Sequence, residues 1–69
     1  MPTFADRLKE LRAIKGVTQK NMAELLGINE RNYRHYEAGD VNPTIANILL
    51  LADYFDVTAD YLLGRTDQR

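Results

Sequence analysis

The sequence of 69 residues contains no cysteine and no long apolar run. Without cysteine it can form neither disulfides nor thiolate metal sites, which is consistent with a reducing cellular interior. Its longest apolar run, Ile48 to Ala52, is far shorter than the roughly 20 residues that a membrane-spanning helix needs. The N-terminal segment contains acidic Asp6 and lacks the apolar core of a signal peptide. We therefore expect a soluble, cytoplasmic protein that has no membrane partner.

Groups that could carry out catalysis or bind a metal are equally scarce. His35 is the only histidine, and no glycine-rich loop could cradle a phosphate group. No motif places a nucleophile beside a base that would activate it. One histidine without cysteine also makes a poor metal site. The sequence therefore predicts no enzyme activity, no metal, no cofactor and no small-molecule ligand.

Strand-like alternation of apolar and polar residues is also missing, whereas apolar residues recur at helical spacing throughout. With 45% hydrophobic and 28% charged residues, the composition is that of a globular protein. A chain of this size buries only about 60% of its unfolded surface, so its core must be compact. We predict an all-α, five-helix fold in one domain over residues 1–69, with a core over about residues 4–63. The polar tail, residues 65–69, is expected to fray.

Capping residues and glycines delimit the five predicted helices. The first runs from about residue 3 or 4 to Lys15, the second follows Thr18 and ends at Gly27, and the third follows Asn29 and ends near Glu37. After a loop over residues 40–43, Thr44 caps the fourth helix, and Thr58 caps a short fifth helix that ends at Gly64.

The last two helices carry predicted core residues. In the fourth helix, apolar spacing predicts a buried face formed by Ile45, Ile48, Leu49, Ala52 and Phe55. In the fifth helix, Tyr61 and Leu62 are expected to return to the core.

The segment from Thr18 to Gly39 is the most informative part of the chain. Its two predicted helices are joined by a turn of only a few residues, in which Gly27 suits the left-handed conformation that ends a helix. Ala23 supplies a small residue where two crossing helices would approach each other. Two short helices joined by a glycine-containing turn form the arrangement that places an exposed helix in the major groove of DNA.

Charge is distributed unevenly along the chain, although the net charge at pH 7 is only −1. Residues 1–36 contain seven Lys and Arg against four Asp and Glu, a net +3, whereas residues 37–69 contain two against six, a net −4. Attraction to phosphate is local, because it is screened over about 8 Å at physiological salt. A basic N-terminal face could therefore bind DNA, but a solvated mixed surface with a chance asymmetry would have the same composition.

A series of characteristic residues runs from Phe4 to Leu63. They are Leu8, Leu11, Arg12, Gly16, Thr18, Gln19, Ala23, Leu26, Gly27, Tyr33, Tyr36, Glu37, Gly39, Pro43, Ala52, Phe55 and Asp60 to Leu63. In this order they resemble the lambda-repressor-type helix-turn-helix family, the Cro/repressor or XRE type. The resemblance implies a compact DNA-binding domain whose helix-turn-helix consists of helices two and three. It also implies a sequence-specific transcription regulator, a bacterial or phage-type repressor.

In this family the third helix is the recognition helix, so the resemblance implies that its exposed residues contact DNA bases. The base-contacting residues are then Glu30, Arg31 and His35. Arg31 suits O6 and N7 of guanine because its guanidinium is a planar fork, although arginine also contacts phosphates. Glu30 could accept a hydrogen bond from cytosine N4, or it could interact with the helix dipole beside the Asn29 cap and repel phosphate.

The same resemblance assigns further polar residues to the DNA backbone. They are Gln19, Asn29, Asn32, Arg34, Asn42 and Thr44. The loop after Gly39 is basic in many relatives, whereas here it reads Asp40-Val41-Asn42, which departs from the family pattern.

The resemblance also implies a structural ion pair and a dimer. Arg12 and Glu37 correspond to the pair that links the first helix to the end of the third, while Tyr33 and Tyr36 are expected to be core rings. Because one helix reads only a few base pairs, we expect a homodimer, at least on DNA, that binds a palindromic operator. Its expected interface comprises Leu50, Asp60, Tyr61, Leu62 and Leu63. Leu50 could equally be an isolated exposed leucine.

Two classes of function fit this sequence. The first is a regulator that binds double-stranded DNA, for which repressor and activator look alike. The second is a protein-interaction module, such as an antitoxin or coactivator-like domain with the same fold. A steep salt dependence of binding to random DNA would favour the first, and a flat dependence or no binding would favour the second.

Overall fold

The computed structural model describes residues 2–69, which form five α-helices and no strand. The helices are α1 (Phe4–Lys15), α2 (Gln19–Leu26), α3 (Glu30–Ala38), α4 (Ile45–Phe55) and α5 (Ala59–Leu62). The predicted all-α, five-helix fold is confirmed, while Met1 of the predicted domain lies outside the described residues. Over the described range, no helix has the length and apolar character needed to cross a membrane.

Each helix begins next to a threonine or asparagine whose side-chain oxygen accepts a hydrogen bond from a backbone N–H of the first turn. These caps are Thr3, Thr18, Asn29, Thr44 and Thr58. α1 and α2 end at Gly16 and Gly27, which adopt the left-handed conformation at φ angles of 74° and 69°. Gly27 ends α2 and Asn29 caps α3, so a very short turn sets the angle between these two helices.

A single apolar core lies between the helices, and each helix contributes two buried residues to it. They are Leu8, Leu11, Met22, Ala23, Tyr33, Tyr36, Leu51, Ala52, Tyr61 and Leu62. Ala23 is 3% exposed, and its small side chain lets α2 approach α3 closely. The Tyr36 ring lies 6.2 Å from the rings of both Phe4 and Tyr33, measured between centroids. α3 is therefore held from one side by α1 and α2, which leaves its other side exposed.

The buried face of α4 differs from the prediction. Ile45 and Leu49 are 77% and 55% exposed, so their predicted burial is wrong, while the other three predicted residues pack in or against the core. Leu51, which lies outside the predicted face, is fully buried. Five consecutive apolar residues, Ile48 to Ala52, cover all sides of this helix, and the spacing alone therefore does not define which side faces inward.

The polar tail makes contacts with α1 and α5. Oδ1 of Asp67 lies 2.7 Å from Nη2 of Arg7, whose guanidinium carbon lies 3.9 Å from the centroid of the Tyr61 ring. The backbone carbonyl of Arg69 accepts a hydrogen bond from the N–H of Thr58 at 3.1 Å. The polar composition of the tail does not reveal this anchor, because Arg7 is 60 residues away in the sequence from Asp67.

Candidate nucleic-acid interface

α3 has two different sides, and the one turned away from the core is polar. Tyr33 and Tyr36 point into the core, where they are 0% and 8% exposed. The opposite side, which we call the α3 polar face, consists of Glu30, Arg31, Asn32, Arg34 and His35. All of these side chains are exposed except Glu30, which is partly buried. The face extends from the first turn of the helix to its last, so a ligand could contact it along its whole length.

A buried ion pair anchors the inward side of α3. Nε of Arg12 on α1 lies 2.6 Å from Oε2 of Glu37, and Nη2 of Arg12 lies 3.2 Å from Oε1. Glu37 also accepts hydrogen bonds from the Tyr33 hydroxyl and the Gln19 amide. Burial opposes the ionisation of Glu37, but the hydrogen bonds from its donors outweigh burial and lower its pKa below the ordinary 4.5. Burial and the adjacent carboxylate raise the pKa of Tyr33, so Tyr33 remains a donor.

Gln19 connects this buried pair to the α3 polar face. Its Nε2 donates to Oε1 of Glu37 at 3.2 Å, and its Oε1 accepts from Nε of Arg34 at 3.4 Å. Nη2 of Arg34 in turn donates to Oε2 of Glu30 at 2.7 Å. A continuous chain of hydrogen bonds thus runs from the core to the surface. Both ends of the Gln19 amide have partners within the protein, a role that its assignment to the DNA backbone did not include.

The remaining residues of the polar face have different surroundings. Nδ1 of His35 lies 3.1 Å from Oδ2 of Asp40, in the loop that follows α3. Arg31 is exposed and makes no ion pair within residues 2–69. Arg31 is therefore the cation of this face that a ligand could bind without breaking an existing pair.

Several residues assigned to the DNA backbone lie at helix starts. Oδ1 of Asn29 accepts from the backbone N–H of Asn32 at 2.7 Å, and Thr44 caps α4 in the same way at 3.1 Å. Asn42 is exposed in the loop between α3 and α4. Backbone N–H groups in the first turn of a helix attract anions, because they lack intrahelical partners. The two caps therefore mark such groups at the starts of α3 and α4.

Ion pairing within the chain reduces its free positive charge. Of the seven basic residues in residues 1–36, three pair with carboxylates: Arg7 with Asp67, Arg12 with Glu37, and Arg34 with Glu30. Nζ of Lys15 lies 4.6 Å from the centroid of the Tyr54 ring. Among the residues that the structure describes, Lys9, Lys15, Lys20 and Arg31 make no ion pair. The basic face is therefore smaller than the composition of residues 1–36 indicates.

The residues expected at a dimer interface separate into two groups. Tyr61 and Leu62 are 2% and 0% exposed, so their side chains lie in the core of one chain and offer little surface to a second copy. Leu50 and Leu63 are 40% and 38% exposed, and the exposed Asp60 lies 3.5 Å from Arg65. Only these last three predicted interface residues present side chains at the surface.

Sequence reasoning missed the anchoring role of Arg7. This residue is 6% exposed and packs between Tyr61 and the tail. A signal was present in the sequence, because Arg7 lies three residues after Phe4 and four before Leu11, on the apolar stripe of α1. A charged residue at such a position requires a partner, and the spacing alone does not identify that partner.

A profile of the helix-turn-helix family matches residues 8–62, which include parts of all five helices. The chain belongs to the helix-turn-helix family. Its curated relatives include the HTH-type transcriptional regulator AnsR of Bacillus subtilis (strain 168), which is 45% identical over 64 residues. That match covers 93% of this chain and 55% of AnsR. The chain spans about half the length of the curated relatives it matches.

A second relative and a solved structure extend this family assignment. The cryptic phage CTXphi transcriptional repressor RstR of Vibrio cholerae is 37% identical over 60 residues, which are 87% of this chain and 54% of RstR. The crystal structure of the P22 c2 repressor in complex with a synthetic operator has a TM-score of 0.85 and 20% identity. It covers 96% of this chain and all of the solved one. At that identity the likeness shows a shared fold, in which α2 and α3 form the helix-turn-helix.

Proposed function

We propose that this protein is a transcription regulator of the repressor type, which binds double-stranded DNA and reads the major groove with α3. The observation that carries the proposal is the division of α3 between a buried anchor and an exposed polar face. Tyr33, Tyr36 and Glu37 hold the helix against the domain, so the opposite side can enter a groove without unfolding anything. Membership of the helix-turn-helix family and the names of the two curated relatives support the same function. The protein would act in the cytoplasm.

Within this function, the exposed residues divide into base readers and backbone contacts. Arg31 reads guanine, because its guanidinium has no competing ion pair in the described chain and matches the acceptors O6 and N7. Glu30 and His35 face the bases on either side of it. Phosphates are bound by residues at the helix starts and in the loop between α3 and α4, namely Gln19, Asn29, Asn32, Asn42 and Thr44.

The active species is a homodimer on a palindromic operator. One recognition helix contacts too few base pairs for adequate specificity, and two copies related by a two-fold axis would bind half-sites about 34 Å apart. Leu50, Asp60 and Leu63 remain exposed and are the interface residues that we propose. Light scattering with and without palindromic DNA tests this arrangement, and a protein that stays monomeric on such DNA would contradict it.

Selection of bound sequences from a random DNA pool tests the function itself, because it reports the site, its symmetry and its half-site spacing together. We expect Arg31→Ala to weaken discrimination at one position of each half-site by about 1–3 kcal/mol. Arg69→Ala removes the same charge from the tail, where the guanidinium lies 3.4 Å from Glu10, and should leave the selected sequence unchanged. If Arg31→Ala relaxes no position, Arg31 is not a base reader.

Salt dependence separates DNA binding from the protein-interaction alternative. Binding that releases condensed counterions weakens linearly on a log–log plot against salt concentration, with a slope near the number of phosphate contacts. We expect a steep slope with random DNA. A flat slope, or no binding at low salt, would favour a protein-interaction module that uses the same fold.

A further inference from the structure

We propose that Glu30 and Arg34 act as one electrically neutral reading unit that selects cytosine in each half-site, so that Arg34 is not a phosphate contact. The inference deepens the proposed function and rests on it, since it concerns the groove-facing side of α3. It replaces two independent roles, base reading by Glu30 and backbone binding by Arg34, with a single coupled one.

The geometry of the pair favours a fixed unit over a mobile surface ion pair. Nη2 of Arg34 lies 2.7 Å from Oε2 of Glu30, one helical turn away, and the two side chains are 61% and 40% exposed. Arg34 has a second partner, because its Nε donates to Oε1 of Gln19 at 3.4 Å. Gln19 is itself held by the buried Glu37, which accepts from its Nε2 at 3.2 Å. The amide therefore cannot reverse without losing both hydrogen bonds, and its oxygen stays directed at Arg34.

The chemistry of a carboxylate in the major groove selects against most bases. Glu30 is the first residue of α3, and its ionised side chain can only accept hydrogen bonds. In the major groove, guanine presents two acceptors and thymine presents an acceptor and a methyl group. Adenine presents a donor next to an acceptor, whereas cytosine presents the N4 donor alone. A carboxylate at this place is therefore compatible with cytosine and disfavours the other three bases.

The pairing with Arg34 makes such a carboxylate tolerable near DNA. An unpaired Glu30 would be repelled by the phosphates on both sides of the groove, and Arg34 cancels that charge while leaving a Glu30 oxygen free to accept. If Arg34 moved to a phosphate, it would leave Glu30 uncompensated and would break the hydrogen bond to Gln19. We therefore expect Arg34 to stay with Glu30 in the complex and to add nothing to the number of phosphates neutralised.

Selection from a random DNA pool with three proteins tests the inference. The wild type should select cytosine at one position of each half-site. In Glu30→Gln this preference should be about tenfold weaker, while the base preferences at the other positions should be unchanged. Glu24→Gln is the matched control, because Glu24 is an exposed acid on α2 without an ion pair in the described chain. It changes the net charge equally and should keep the cytosine.

A salt titration and a double variant test the coupling. Glu30→Gln releases Arg34 for a phosphate, so the log–log slope of binding to random DNA should become steeper by about one contact per chain. Arg34→Gln leaves Glu30 unpaired and should weaken binding more than the double variant Glu30→Gln/Arg34→Gln does. Additive effects of the two substitutions would overturn the proposed unit.

The outcomes separate this inference from the function on which it rests. If the wild type selects a defined site and Glu30→Gln selects the same one, the inference is wrong and the proposed function stands. If Glu30→Gln has a lower melting temperature but selects the same site, Glu30 instead stabilises α3 by interacting with the helix dipole. If the wild type binds no DNA, or binds it without any preference, the proposed function fails and this inference fails with it.

Discussion

The two ends of α3 carry the same chemical pair in opposite environments. Glu37 lies 2.6 Å from Arg12, and Glu30 lies 2.7 Å from Arg34. The side chains of Arg12 and Glu37 are only 25% and 5% exposed, whereas those of Arg34 and Glu30 are 61% and 40% exposed. Distance therefore does not distinguish the pairs. Burial decides that one pair holds the helix in the domain while the other remains accessible to a ligand.

The physical reason is the cost of removing charge from water. A buried pair loses its hydration, so its stability depends on complete pairing, and loss of one partner leaves an uncompensated charge. Glu37 meets this requirement by accepting hydrogen bonds from three residues, Arg12, Tyr33 and Gln19. An exposed pair stays hydrated and contributes little to the stability of the fold, so the helix does not depend on it.

The largest expected effect comes from removing the buried carboxylate. Glu37→Ala leaves Arg12 without its partner, and we expect the free energy of unfolding to fall by about 3–5 kcal/mol. Since small domains have only about 5–15 kcal/mol in total, this variant should be close to unfolding. Urea denaturation measures the change, with Glu24→Ala as an exposed control. An unchanged midpoint for Glu37→Ala would contradict the structural role of the pair.

Acid should remove the same charge and keep the side chain, so its effect should be smaller. The pKa of Glu37 is lower in the folded protein than its ordinary value of 4.5, because hydrogen bonds from its donors outweigh burial. The folded state therefore binds this proton less readily than the unfolded chain does. The stabilisation is complete above about pH 4.5 and is lost as the pH falls through the folded pKa.

Comparison of the wild type with Glu37→Gln isolates this contribution. The pKa of Asp6 is also lowered, chiefly by hydrogen bonds from Thr3, and contributes in the same direction in both proteins. Urea denaturation over acidic pH should therefore show a flatter pH dependence for Glu37→Gln. Parallel curves for the two proteins would show that Glu37 is not preferentially ionised in the folded state.

Removing one donor to Glu37 should have an intermediate effect. Tyr33→Phe keeps the buried ring and loses the hydroxyl that donates to Glu37, and hydrogen bonds to charged groups contribute about 1.5–3 kcal/mol. The hydroxyl of Tyr36 instead accepts from the neutral amide of Asn47 at 2.9 Å. Tyr36→Phe should therefore cost only about 0.5–1.5 kcal/mol. Equal losses in thermal or urea unfolding would show that the Glu37 carboxylate does not strengthen its hydrogen bond.

The smallest effect on stability is expected at the exposed pair. An ion pair one turn apart on a helix surface contributes about 0.2–0.5 kcal/mol, so Glu30→Gln should barely change the urea midpoint. The variant should nevertheless change DNA selectivity, which separates it from every substitution at Glu37. A loss above about 1 kcal/mol would mean that the pair is part of the fold, and the contrast between the two ends of α3 would disappear.

Much of the fold could be predicted because its signals are local. A threonine or asparagine cap acts on the first turn that follows it, and Gly16 and Gly27 act on the turn that precedes them, so five helices could be placed without knowing what they pack against. The inward side of α4 could not be predicted, because apolar residues lie on all sides of this helix. Only packing decides that Leu51 is buried and Leu49 is exposed. The anchored tail depends on Arg7, at the other end of the chain.

For the candidate site, too, local features could be predicted from the sequence and long-range contacts could not. The sequence by itself determined the family, the helix that presents polar residues and the residue types on its face, because these follow from order and helical period. Only the tertiary structure decided the other long-range contacts, since Arg7 meets Asp67 across 60 residues and Gln19 meets Arg34 across 15. Partners that far apart in sequence are brought together by packing, and no local pattern specifies their distance or burial.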